Sequence, residues 1–128
     1  RHRIISNMIK ILVIACGGGF GAALRYLISD LLKTSYFFML PVGTLLINFI
    51  GCFCIGIVMA QITDMKSNMY FFLVVGFLGS FTTMSAFSQQ TIELLYNGKS
   101  TNALIYVVAS IASCLIGTFF AYSLFKTT

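Results

Sequence analysis

Gly79-Ser80-Phe81-Thr82-Thr83-Met84-Ser85-Ala86-Phe87-Ser88 lies in the middle of a long apolar segment. Five of these ten residues carry hydroxyls, and two are phenylalanines. Hydrocarbon offers no hydrogen-bond partners, so a polar run at that depth has to face protein or water. Polar residues inside a membrane segment are functional candidates for the same reason. The surrounding segment, about Met69–Tyr96, is longer than a bilayer requires, and Gly76 and Gly79 interrupt it. Two backbone readings follow. A helix broken mid-membrane would expose carbonyls and helix ends able to bind ions. A long tilted helix would instead bond its hydroxyls back to its own carbonyls. Glycines and consecutive threonines at mid-membrane depth favour the break.

Outward from this stretch the composition is that of a bilayer protein. Apolar residues make up 59% and charged residues 9%, with mean hydropathy +0.97. A soluble domain carries about 25% charged residues. This chain cannot clothe itself in polar surface, and it reads as an all-α membrane protein with one domain over residues 1–128. Four segments reach the roughly 20 apolar residues a span needs: about Ile11–Leu32, Val42–Ile62, Met69–Tyr96 and Ala103–Phe125. The connections are short, carrying Lys33, Lys66 and Lys99, and Asn97-Gly98 is a turn signal. The first segment flows straight into further spans, so a cleaved signal peptide is not expected.

The net charge of +5 is scattered rather than clustered, so no nucleic-acid partner is expected. Lipid is the expected surrounding. With Arg1 and Arg3 set aside, Lys10, Lys66 and Lys126 face one side of the membrane and Lys33 and Lys99 the other. That bias is weak, and a chain with so little orientation signal can insert both ways, which would allow an antiparallel homodimer. Cys16, Cys52, Cys54 and Cys114 show no CxxC spacing and read as small buried apolar residues.

Three further places carry polar chemistry. Arg25 follows a glycine-rich run, Gly17-Gly18-Gly19-Phe20-Gly21, that lets another helix approach closely. It reads either as a structural anchor or vestibule charge, or as a direct anion contact. Thr44 and Asn48, at i and i+4, share one face of the second span, with Gly51 beyond them. The Asn48 amide offers two N–H donors, which suits an anion, or else bonds a neighbouring helix. Met84 and Phe87 stand at i and i+3 beside Ser85 and Ser88. Phenylalanine has an electropositive ring edge that can hold a partly dehydrated anion without trapping it, although rings at this spacing also simply pack.

The segments Gly18-Gly19-Phe20-Gly21-Ala22-Ala23-Leu24-Arg25-Tyr26, Gly43-Thr44-Leu45-Leu46-Ile47-Asn48-Phe49-Ile50-Gly51 and Gly79 to Ser88 resemble the Fluc (CrcB) fluoride channels. The resemblance covers essentially the whole chain. It implies an antiparallel dual-topology homodimer in the bacterial inner membrane, with two pores that export cytoplasmic fluoride passively. Asn48 would line the pore and Phe87 would be the second phenylalanine of the anion track. Thr44, Thr83 and Ser85 would line or support it, and Tyr106 and Ser110 would be the polar pore residues of the fourth span. The backbone carbonyls of Gly79 and Thr82 would hold a central Na+ shared by both subunits. Met84 departs from the family, standing where its first pore phenylalanine is usual. Gln90 replaces a common glutamate and Ala86 a frequent threonine.

No enzymatic activity is expected. The alternative is a small four-span multidrug exporter, which exchanges protons for a cationic drug through a membrane-embedded carboxylate. Asp30, Asp64 and Glu93 all fall near span ends, which disfavours it. Met84→Phe restores the residue usual in the family, and fluoride efflux from liposomes is expected to survive it. Complete loss of conduction would show that the packing around residue 84 differs from the family's.

Overall fold

The computed structural model describes residues 1–37 and 39–127. The chain forms α1 (His2–Leu31), a two-stranded hairpin β1 (Tyr36–Phe37) and β2 (Leu40–Pro41), and α2 (Val42–Gln61). The third apolar segment follows in pieces: α3 (Asn68–Tyr70), a π-helical stretch (Phe71–Leu78), α4 (Gly79–Phe81) and α5 (Met84–Tyr96). The chain closes with α6 (Ser100–Phe125). Among the described residues four helical segments are long and apolar enough to cross a membrane, so this is a multi-pass membrane protein.

The first segment begins earlier than hydropathy alone suggests, at His2 rather than about Ile11. Thirty residues of α1 rise about 45 Å at 1.5 Å per residue, more than the hydrocarbon core spans. The turns carrying Arg3 and Lys10 therefore extend into the polar interface. Apolar side chains face outward along every span; Phe20, Leu104, Leu115 and Phe119 are all exposed. In water this would be an aggregating surface, but in lipid it is the solvated one.

Helix ends follow local chemistry. Pro41 lacks an amide hydrogen and precedes the first turn of α2, where no donor is needed. Ser67 caps α3 by accepting from the Tyr70 amide at 3.1 Å. Gly98, at φ +72°, ends α5 in a Schellman turn. There Lys99 N–H donates to Leu94 C=O at 2.9 Å and Gly98 N–H to Leu95 C=O at 3.0 Å. The Asn97-Gly98 turn signal is realised in this motif.

Two helix pairs build the interior: α1 packs on the π-helical stretch, and α2 packs on α6. Both depend on glycine. A Cβ on Gly21 would lie 2.1 Å from the Phe77 carbonyl oxygen, and one on Gly76 would lie 2.6 Å from the Ile14 carbonyl oxygen. The backbones of α1 and the π-helical stretch are thus in direct contact, as small-residue membrane interfaces allow. Between the helical turn ending at Phe81 and the start of α5, Thr82 (φ −76°, ψ 151°) and Thr83 (φ −140°, ψ 113°) are extended.

Gly21→Ala should destabilise the protein by about 1–3 kcal/mol, the usual cost of overpacking a tight contact. Thermal unfolding in detergent measures it. An unchanged midpoint would show that α1 can move away from the π-helical stretch.

Candidate functional site

The site is built around the two extended residues. Extended backbone inside a helical segment frees amides and carbonyls that a helix would pair. Asn48, on α2, takes up two of them at once. Its Oδ1 accepts from the Thr83 N–H at 2.8 Å, and its Nδ2 donates to the Thr83 C=O at 3.1 Å. The side-chain amide acts as one rung of a β-ladder, and both contacts fix which end is oxygen. Nδ2 carries a second hydrogen beyond this pairing. Gly51, one turn along α2, makes room for the same segment: a Cβ there would meet Thr82 Cγ2 at 2.2 Å.

The ends on either side are capped by other side chains. Thr83 Oγ1 accepts from the Ala86 N–H at 3.1 Å, capping α5, and lies 3.1 Å from Ser85 Oγ. Thr82 Oγ1 donates to the Leu78 C=O at 3.1 Å. Arg25, half-buried on α1, donates through Nε–H to the Ser80 C=O at 3.0 Å. A cation at the carbonyl end of a helical turn is electrostatically favoured.

Gly79 and Thr82 are among the carbonyls that lose their usual helical donors here. In a continuous helix, Gly79 C=O would receive the Thr83 N–H, which Asn48 takes instead. Thr82 C=O would receive the Ala86 N–H, which Thr83 Oγ1 takes. Gly79 is exposed, and Gly79 and Thr82 border one shallow groove of about 200 Å³ together with Gly51.

A cavity of about 320 Å³ also opens beside the extended segment, lined by Asn48, Thr82, Thr83, Met84, Phe87 and Ser110 among others. Ser110 is buried, and its Oγ has no hydrogen-bond partner among the described residues. Met84 is 72% exposed at the cavity rim. The Phe87 ring lies 5.3 Å from the ring of Tyr106, which is fully buried and donates its hydroxyl to Gln90 Oε1 at 2.8 Å.

Not every residue singled out by sequence lines that cavity. Thr44 borders a neighbouring one of about 270 Å³ with Lys33, Ala86 and Gln90. Ser85 reaches the site through Thr83, Tyr106 through Phe87, and Arg25 only through Ser80. Conversely, Cys52 and Cys114 line the main cavity, as does Ile111. Their signal lies in the spacing: Cys52 follows Asn48, and Cys114 follows Ser110, by one helical turn. Among the described residues no three His, Cys, Asp or Glu side chains gather as a metal site.

Residues 12–122 match the protein family described as CrcB-like protein, Camphor Resistance (CrcB). The chain is 39% identical to the fluoride-specific ion channel FluC of Ruminiclostridium cellulolyticum, across 96% of this chain and 97% of that protein. It is 41% identical to the FluC of Geobacter sulfurreducens, across 87% and 92% of the two chains. With the FluC of Shewanella halifaxensis it shares 36% identity, across 84% and 89%.

Asn48→Asp keeps an acceptor for the Thr83 N–H but turns a carboxylate oxygen toward the Thr83 C=O. Loss of a buried partner costs about 1–3 kcal/mol, and more when a charge is left facing an acceptor. A lowered unfolding midpoint in detergent is expected. An unchanged midpoint would mean that the extended segment holds without Asn48.

Proposed function

The chain belongs to the CrcB-like family, and from that premise we propose that it is a passive fluoride-selective channel of a bacterial inner membrane. One observation carries the reading: Asn48, Phe87, Met84 and Ser110 converge on a single cavity beside the extended Thr82–Thr83 segment. All are uncharged, and together they offer what a small anion needs in place of water. Ser110 has an uncommitted hydroxyl, Asn48 a spare N–H, and Phe87 an electropositive ring edge. None is cationic, so the ion is stabilised without being trapped.

In this reading the third span is a broken helix, which the extended backbone at Thr82 and Thr83 supports. Two copies assemble as an antiparallel, dual-topology homodimer with two pores; the weak lysine bias supports it. The backbone carbonyls of Gly79 and Thr82 would hold a central Na+ shared by the two copies. The donor set fits it: both carbonyls have lost their helical donors, and unwound backbone carbonyls suit a hard alkali cation. Bound there, it would supply positive charge between the two extended segments. Asn48 and Thr83 keep the carbonyl-bearing segment extended. Arg25 anchors the turn before the break, and Thr44, Ser85 and Tyr106 support the wall that carries Phe87.

Hydrogen fluoride crosses membranes neutral and ionises in a more alkaline cytoplasm. A passive leak then exports the anion, driven by about 2.3 kcal/mol per charge per 100 mV. The drug-exporter alternative lacks its carboxylate: Glu93 is exposed and bonded to Gln89, and Asp30 pairs with Lys33 at the surface. No catalytic group is needed.

Purified protein in liposomes should release fluoride and retain chloride. Comparable chloride release, or no fluoride release, would sink the proposal. Phe87→Ile should abolish or strongly reduce the flux while the protein remains folded; undiminished flux would remove the ring edge from the mechanism.

A further inference from the structure

The cavity beside Asn48 also holds two thiols to which the channel reading gives no part. Cys52 and Cys114 both line it, on α2 and α6, and both are free and half-buried. The helices that carry them are clamped together here. Thr118 Oγ1 donates to the Cys52 C=O at 2.8 Å, and a Cβ on Gly56 would lie 2.4 Å from the Thr118 C=O. The Met84 thioether borders the same cavity.

We propose that Cys52 and Cys114 form a site for a soft, two-coordinate metal cation that occupies the cavity beside Asn48. Hard cations find no carboxylate there, since among the described residues no Asp or Glu lines the cavity. Thiolate and thioether donors select soft ions such as Cu(I) and its d10 relatives. Among the described residues no third Cys, His, Asp or Glu joins the pair, so the coordination number is low. Two thiols brought to one cavity by two helices suit an ion that prefers two sulfur ligands. Binding breaks two S–H bonds, forms two metal–sulfur bonds and releases two protons, with no change of oxidation state. The ion lies one helical turn from Asn48 and from Ser110, in the space an anion would cross. Closure of that path by metal is the part that rests on the channel reading.

The test uses Hg2+ alone as probe, in a Cys16→Ser/Cys54→Ser background that leaves only the pair. Mercury–thiolate charge-transfer absorption should rise and break at one ion per chain, with both thiols consumed. Further Cys52→Ser or Cys114→Ser replacement should remove the two-thiol complex. A break at two ions per chain, or absorption indifferent to these replacements, would overturn the site. In liposomes, Hg2+ should lower fluoride efflux to the protein-free rate only when both thiols are present, each variant being compared with itself without metal. Full efflux with the mercury site saturated would overturn the closure but not the site. Absence of efflux before metal is added would count against the channel reading alone, because absorption reads the site independently.

Discussion

The pairing of the Asn48 side chain with the Thr83 backbone is the contact on which the rest of this structure turns. Inside a bilayer an extended pair of residues is ruinous unless its polar groups are satisfied, each orphan costing several kcal/mol. A side-chain amide is the smallest group that can present a donor and an acceptor at peptide spacing. Once Asn48 holds Thr83 in this way, α5 can start afresh at Met84, its Ala86 amide capped by Thr83 itself. Phe87 and Met84 are then aimed by a helix that is not a continuation of the one before it. The carbonyls of Gly79 and Thr82 lose their helical partners for the same reason.

Close backbone packing makes the pairing possible. Gly51 leaves room for Thr82, and Gly17, Gly21 and Gly76 bring α1 against the π-helical stretch. That contact sets Arg25 where it reaches the Ser80 carbonyl, 55 positions away in sequence. On the other side, Gly56 and Gly117 seat α6 against α2. Ser110 and Cys114 thereby come to face the cavity that Asn48 and Cys52 line. Lipid gives no hydrophobic reward for bringing helices together, so small residues and hydrogen bonds carry the association.

Much of the site is legible in the amino-acid sequence. Hydropathy locates the spans, because lipid demands about 20 apolar residues whatever the partners are. The hydroxyl run from Ser80 to Ser88 draws the eye to the segment that contains the extended Thr82 and Thr83, because lipid tolerates such a run only against protein or water. Other features are not legible there. Nothing local to Asn48 says that its partner is the backbone of Thr83, 35 residues on. Nothing local to Tyr106 says that its hydroxyl ends on Gln90, or that Thr44 borders a different cavity from Asn48. Cys52 and Cys114 look like ordinary apolar filler until two helices bring them to the same cavity.

The sequence by itself therefore determined that the chain crosses the membrane four times and that the third crossing carries polar chemistry. These are properties of transfer from water to lipid, and they act residue by residue. Only the tertiary structure decided which donor meets which acceptor, and which side chains share a cavity. Those outcomes depend on how closely glycine lets two backbones approach, a distance between helices that no single segment encodes.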